Sequence, residues 1–195
     1  ETEETFPPEA AKAYAERKLG PGPDFVLANQ TRAFWDFPKP IIMAINGLAV
    51  GGGANLALMN FGDLVVASTA AKFKWPFASL NLSPELTSSY MMPFLVGMPR
   101  AKEMMLLGEW FSAEQAQALG LVNRVVPPDQ LMPTALELAG KLANHVPTTN
   151  SNIKRVMNDR LRRILDNLLE TEDEYIQSTI KLTGVPSKLQ AHSRL

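Results

Sequence analysis

A run of three glycines is the first feature of this sequence that could do chemistry. It comprises Gly51, Gly52 and Gly53, and residues 54–59 after it form an apolar stretch whose length suits a short buried helix. Glycine permits turns without a Cβ between backbone and ligand, and the first amides of a helix have no acceptor within it. Such a turn can hold an oxyanion with its N–H groups. Close packing of a helix against a strand is the alternative explanation of the triplet.

The acid–base group must be a carboxylate, because the other side chains that do this chemistry are missing or badly placed. The sequence has no cysteine, and His145 and His192 lie outside the dense core pattern without the spacing of a metal-binding helix. Two acids stand out by position: Glu85 in a Leu-Ser-Pro-Glu segment ahead of a helix, and Asp63 just before a strand. Asp63 has the place of a cap or turn residue, and Glu85 could equally be a first-turn acid facing a helix dipole.

The sequence argues against several other classes of function. It contains no Walker pattern, no clean dinucleotide fingerprint and no Gly-x-Ser-x-Gly nucleophile elbow, so a nucleotide site at the glycine turn and a serine hydrolase are disfavoured. The 19 basic and 20 acidic residues are interspersed and leave a net charge of -1, so nucleic acid is not an expected partner. No metal site is expected, and the longest apolar stretch, residues 40–50, is too short to span a membrane.

The elements that must position these residues alternate between strands and helices. Residues 41–45 and 64–67 are short apolar runs typical of strands buried on both faces, with the glycine turn and its helix between them. This order predicts a largely parallel sheet covered by helices. The remaining predictions are helices within residues 1–22 and at 24–36, 90–96, 101–107 and 113–119 (the last with a Ser112/Gln115 capping box), a strand at 121–126, and two or three terminal helices.

Taken together, these segments resemble the enoyl-CoA hydratase/isomerase (crotonase) superfamily. The resemblance is close over residues 38–126 and looser beyond, and rests on residues 46–57, Asp63, Phe-Lys-Trp-Pro-Phe at 73–77, Ser-Pro-Glu at 83–85 and Gly-Leu-Val at 120–122. It implies an α/β fold in which a spiral of ββα units precedes a C-terminal helical region that trimerises. We therefore expect a crotonase-like core at residues 1–126 and a helical region at 127–195.

The resemblance also implies a backbone site for a thioester oxygen. Two amides surround the CoA thioester oxygen in this superfamily, and Gly52 matches one of them. The segment that carries the other donor is not found after Glu1, so the N-terminal units are expected to be missing.

Within the superfamily, the sequence is most similar to the peroxisomal type of Δ3,Δ2-enoyl-CoA isomerase, in which a Ser-Pro-Glu segment supplies a lone base matching Glu85. Hydratases use two glutamates, and the matching positions here are Asn55 and Phe77. The resemblance thus implies an isomerase of β-oxidation that converts 3-enoyl-CoA to 2-trans-enoyl-CoA. Leu86 departs from this branch, where glycine usually follows the glutamate. A non-catalytic acyl-CoA-binding protein, a hydratase and a thioester hydrolase remain alternatives.

The resemblance further predicts the substrate contacts and the partners. The substrate-binding residues are expected to be Ala49, Gly51, Phe77, Leu82 and Leu86, and the basic residues Lys154 and Arg155 are considered as contacts of the CoA nucleotide. No cofactor is expected, because coenzyme A is part of the substrate. The expected partners are acyl-CoA, further copies of the chain in a homotrimer or dimer of trimers, and a peroxisomal import receptor. The receptor would recognise the terminal Ser193-Arg194-Leu195, which predicts a peroxisomal matrix location.

Overall fold

The computed structural model describes residues 24–59 and 61–183. The helix predicted within residues 1–22, His192 and the terminal Ser193-Arg194-Leu195 lie outside these residues. In chain order the described elements are α1 (Asp24–Asp36), β1 (Ile42–Ile45), β2 (Leu48–Val50), α2 (Gly52–Leu58), β3 (Leu64–Ser68), β4 (Lys72–Lys74), α3 (Ser88–Val96), α4 (Met98–Leu107), β5 (Phe111–Ser112), α5 (Ala113–Ala118), β6 (Arg124–Val126), α6 (Leu131–Ala143) and α7 (Pro147–Thr183).

The first sheet is parallel, as predicted, and has the strand order β1-β3-β6. Both faces of β1 meet apolar side chains, because Met43 and Ile45 pack on the main core while Ile42 and Ala44 pack on a second cluster under α6. All four residues nevertheless stay half-buried. The prediction of a strand buried on both faces was therefore wrong for β1, which lies at the edge of the described sheet, and correct for most of the central β3.

A second sheet, in the order β2-β4-β5, was not predicted. Its strands have only two or three residues. The β1-β2-α2 segment and the β3-β4 pair after it place their first strands in one sheet and their second strands in the other. This alternation carries the chain from the first sheet to the glycine turn, which follows β2 directly.

The helices predicted within the described residues are present; α1 has the predicted bounds, and the ends of the others are shifted by a few residues. The capping box at α5 is complete, because the Ser112 side chain accepts from the Gln115 N–H and the Gln115 side chain accepts from the Ser112 N–H. The strand predicted at 121–126 shortens to β6. Asn123 ends the pairing, since its N–H donates to Val65 O over 2.9 Å and its Oδ1 accepts from Val65 N over 2.7 Å.

The terminal helices pack on the sheet part of the chain. From α7, Leu161 and Leu165 enter the main core, and Arg32 of α1 forms an ion pair with Asp166. The described parts of the two predicted regions therefore share a hydrophobic core, and the boundary at residues 126 and 127 stays a prediction. Among the described residues, no helix combines the length and the apolar character needed to cross a bilayer.

Candidate active site

The glycine turn begins where the pairing of β2 with β4 ends. Gly51 donates its N–H to Lys74 O over 2.9 Å and has φ 55° and ψ −120°, a conformation that glycine adopts far more easily than other residues. The first hydrogen bond of α2 runs from Asn55 N to Gly51 O over 3.0 Å. The amides of Gly52, Gly53 and Ala54 therefore have no acceptor within the helix, and the turn presents donors suited to a negatively charged oxygen.

The structure brings Glu85 to this turn. A Cβ at position 52 would lie 3.5 Å from Glu85 Oε1 and 3.4 Å from Leu86 Cδ1. The glycine and the acid that the sequence singled out separately are thus neighbours in space. An oxygen that accepts from the amide of Gly52 would place the adjacent carbon atoms of a ligand beside the Glu85 carboxylate.

Asn55 fixes the backbone of Glu85. The Asn55 side chain is fully buried, its Nδ2 donates to Glu85 O over 2.9 Å, and its Oδ1 accepts from Trp75 Nε1 over 2.6 Å. The same Glu85 carbonyl accepts from Ser88 Oγ over 2.6 Å and from Ser88 N over 3.0 Å. Both ends of the Asn55 amide are therefore occupied. The sequence identified Asn55 only as a missing acid, although a polar residue inside an apolar helix could have signalled a structural role.

The two residues after Glu85 have left-handed backbones. Leu86 has φ 53° and Thr87 has φ 66°, and both are buried. Such conformations cost about 1–3 kcal/mol each for residues other than glycine, and they persist where the surroundings over-determine them. Glycine would adopt the φ of Leu86 without this cost.

Glu172 of α7 reaches the same segment from the other end of the chain. Its Oε2 accepts from Thr87 N over 2.7 Å and its Oε1 from Ser89 N over 2.9 Å. Burial raises the pKa of Glu172 above its ordinary value, and hydrogen bonds from Ser89 and Thr87 act in the opposite direction. The sequence analysis missed this residue. The available signal was that Glu172 continues the helical stripe of buried residues Leu161, Leu165 and Ile176.

The other predicted contact residues lie around the turn as parts of the core. Ala49 is buried in the middle of β2, opposite Phe73 of β4. Phe77 is also buried, its carbonyl accepts from Leu82 N over 2.9 Å, and Leu82 is half-buried. Contact of Ala49, Phe77, Leu82 and Leu86 with a substrate stays a prediction.

A cavity of about 350 Å³ lies elsewhere, between α4 and α5. Its lining includes Arg100, Trp110 and Gln115 and contains neither Gly52 nor Glu85. The cavity is therefore separate from the place where the Glu85 carboxylate meets the first amides of α2.

Two further candidates have structural roles. Lys154 Nζ donates to Asp63 Oδ2 over 2.8 Å and to Lys39 O over 3.2 Å, and only 6% of the Lys154 side chain is exposed. Lys154 is thus held in an internal ion pair, and its consideration as a CoA contact was wrong. Asp63 also accepts from Ile41 N over 2.7 Å, which agrees with the predicted cap or turn role. His145 is exposed, as expected for a surface residue.

Comparison with known proteins supports the family resemblance that the sequence motifs indicate. The family model described as enoyl-CoA hydratase/isomerase matches residues 13–191. The chain is 37% identical to 1,2-epoxyphenylacetyl-CoA isomerase of Escherichia coli, with 80% of the chain and 61% of that protein covered. It is 36% identical to carnitinyl-CoA dehydratase of Salmonella paratyphi A, with 91% and 64% covered.

Solved structures extend the comparison to the fold. The chain resembles the crystal structure of an enoyl-CoA hydratase from Mycobacterium avium subsp. paratuberculosis with a TM-score of 0.78 and 27% identity, over 87% of this chain and 69% of that one. The predicted crotonase-type α/β fold with a helical C-terminal region is confirmed. The chain spans less than two thirds of the length of the two curated relatives.

Proposed function

The chain belongs to the enoyl-CoA hydratase/isomerase family, and from that premise we propose that it shifts the double bond of 3-enoyl-CoA to give 2-trans-enoyl-CoA. The observation that carries the proposal is the position of the Glu85 carboxylate beside the glycine turn, together with an occupied amide at position 55. One carboxylate is enough for an isomerisation, whereas hydration also needs a group that activates water.

The proposed reaction is a proton transfer between two carbon atoms. The thioester oxygen accepts from Gly52 N–H, which stabilises the enolate that forms when Glu85 removes a proton from C2. The electron pair of the broken C–H bond forms a C1–C2 double bond, while the carbonyl pair moves onto the thioester oxygen. When the carbonyl re-forms, the C1–C2 pair shifts to C2–C3, and the pair of the old C3–C4 double bond takes the proton back from Glu85 at C4. The carboxylate is regenerated, and no other reactant is consumed.

The names of the relatives include both an isomerase and a dehydratase, so the choice of reaction rests on the residues. Where hydratases are expected to have their two glutamates, this chain has Asn55 and Phe77. Asn55 is engaged with Trp75 and Glu85, and Phe77 is a buried core residue. Neither side chain can act as a second acid–base group, which favours the isomerase over the hydratase.

The test is to incubate the purified protein with a 3-enoyl-CoA and to follow the ultraviolet absorbance of the conjugated 2-enoyl thioester. Glu85→Gln should lower kcat by at least about 100-fold, because glutamine cannot carry the proton. Glu109→Gln is the matched control at an exposed position and should leave the rate unchanged. A Glu85→Gln variant that folds and keeps its rate would refute the mechanism.

Two further readouts separate the competing reactions. Hydration would yield a 3-hydroxyacyl product heavier by one water, and thioester hydrolysis would release free coenzyme A. An acyl-CoA-binding protein would bind the substrate and return it unchanged.

In D₂O, a single carboxylate that moves one proton should give product with incomplete deuterium at C4, whereas exchange through added water would label it fully.

We also propose that the protein assembles as a homotrimer or dimer of trimers in the peroxisomal matrix. Exposed apolar side chains on α3 and α4, among them Phe94, Leu106 and Leu107, support assembly. The terminal Ser-Arg-Leu supports the location, and the curated relatives compared above are bacterial. Sedimentation velocity tests the assembly. A fluorescent protein fused ahead of the chain, with and without the last three residues, tests the location, and identical diffuse signals would count against it.

A further inference from the structure

Glu172 is a buried titratable side chain that the proposed reaction does not use. Only 4% of it is exposed, and it lies on the face of α7 that packs against the core. A carboxylate in such a place is unfavourable unless its oxygens are hydrogen-bonded. The groups that donate hydrogen bonds to Glu172 therefore indicate its role in the structure.

Both carboxylate oxygens bind the start of α3. They accept from the backbone N–H groups of Thr87 and Ser89, over 2.7 and 2.9 Å. Thr87 is the N-cap of α3, and its own side chain makes no capping hydrogen bond. Glu172 thus supplies from another helix the acceptors that an N-cap residue usually provides, and its position also suits the positive end of the helix dipole.

This contact lies two residues from Glu85 in the chain. Asn55 holds the Glu85 carbonyl before the left-handed pair Leu86 and Thr87. Glu172 holds the amide of Thr87 within the pair and the amide of Ser89 after it. If Leu86 and Thr87 returned to ordinary negative φ values, the chain direction between these two anchors would change, and the Glu85 carboxylate would leave the glycine turn.

We propose that Glu172 is a positioning residue that keeps the Glu85 carboxylate at the glycine turn by clamping the amides of Thr87 and Ser89. The proposal rests on the proposed function, because it assigns Glu172 to the same reaction. It adds a residue of the C-terminal helix to a site otherwise built from residues 51–88. The clamp acts through backbone geometry and involves no contact of Glu172 with the substrate.

The test compares Glu172→Gln with Glu174→Gln, an exposed neighbour on the same helix. Glutamine keeps the size of the side chain, but its NH₂ group meets one of the two N–H donors, so one half of the clamp is lost. We expect kcat to fall about 10- to 100-fold with KM within about twofold, because a displaced base affects the chemical step more than binding. The control should keep both values.

Amide hydrogen exchange of residues 85–92 provides a second readout that does not depend on turnover. The amides of Thr87 and Ser89 should exchange faster in Glu172→Gln than in Glu174→Gln. Unchanged exchange, or faster exchange with an unchanged kcat, would overturn the positioning role. A wild-type protein without isomerase activity would count against the proposed reaction alone, because the exchange comparison tests the contact of Glu172 with the two amides independently of turnover. If Glu172→Gln does not fold, Glu172→Asp, which keeps two acceptors on a shorter side chain, takes its place in both measurements.

Discussion

Asn55→Asp is the substitution that most directly tests the anchoring of Glu85. It exchanges the Nδ2 donor for an oxygen and changes the size of the side chain very little. The new oxygen would face the Glu85 carbonyl at the 2.9 Å now spanned by a hydrogen bond, while Trp75 Nε1 could still donate to the other oxygen. The Glu85 carbonyl would keep its two bonds from Ser88. The substitution thus removes one interaction and introduces one buried charge.

The expected loss of stability depends on pH. The lost hydrogen bond is worth about 1 kcal/mol, and an uncompensated buried charge costs about 3–5 kcal/mol. Burial raises the pKa of the new aspartate above its unfolded value of about 3.9. The protonated carboxyl can donate to the Glu85 carbonyl, so the stability of the variant is greatest below the unfolded pKa and is lost as the pH rises through the folded pKa. Relative to wild type, we expect Asn55→Asp to lose at most about 1 kcal/mol near pH 4 and about 3–5 kcal/mol near pH 8.

Urea unfolding at a series of pH values measures this difference, and tryptophan fluorescence is a suitable signal because Trp75 lies in the network. Comparing the variant with wild type at each pH cancels the titration of all other groups. Asn152→Asp, at an exposed position of α7, should differ from wild type by less than about 0.5 kcal/mol throughout. A loss for Asn55→Asp that does not change with pH would refute the buried hydrogen-bond network.

Three further perturbations test other parts of the structure by the same unfolding measurement. Gly51→Ala should destabilise the fold by about 1–3 kcal/mol because of the positive φ, whereas Gly53→Ala, whose Cβ would meet no atom within 4 Å, should be neutral; equal effects would contradict the turn geometry. Lys154→Ala should cost about 2 kcal/mol by leaving Asp63 without its partner, and the exposed Arg155→Ala less than about 0.5 kcal/mol; similar losses would show that the ion pair contributes nothing. The pKa of Glu172 is raised in the folded protein, so the stability that this residue contributes is present below its ordinary pKa and is lost as the pH rises. Wild type should therefore lose stability relative to Glu172→Gln with rising pH. Parallel plots of unfolding free energy against pH for the two proteins would count against this.

The fold could be predicted where an element is long enough for its hydrophobic pattern to repeat, which takes more than one helical turn or several consecutive strand residues. Helix α1 was predicted with the bounds that the structure has, and β3 and the α5 capping box lay close to their predicted places. The strands β2 and β4 were missed, because three residues cannot display a period of two, and their pairing is a property of two distant segments. Burial of β1 was overestimated for a related reason, since the composition of a strand does not tell whether it is central or at an edge.

The candidate site also has a part that the sequence could predict and a part that it could not. Gly52 and Glu85, which the structure places side by side, could be singled out because their signals are local: a glycine triplet and a short Ser-Pro-Glu segment. The anchors of Glu85 were not found, because they consist of contacts over long separations in sequence, 30 residues from Asn55 to Glu85 and 85 residues from Thr87 to Glu172. A polar residue on an otherwise apolar helix face indicates that a partner exists, but it does not identify the partner.

The anchors of Glu85 also explain how a leucine can occupy a position that favours glycine. Leu86 is 3% exposed, and burying a leucine side chain contributes about 1.5–3 kcal/mol, which offsets a left-handed backbone conformation of about 1–3 kcal/mol. Glycine at this position would relieve the strain and lose the burial, so the two residues are close in stability. They differ in the freedom of the segment, because a glycine next to Glu85 could adopt many more backbone conformations. With leucine, the segment is held by burial at Leu86 and by hydrogen bonds on either side of it, which keeps the Glu85 carboxylate at the glycine turn.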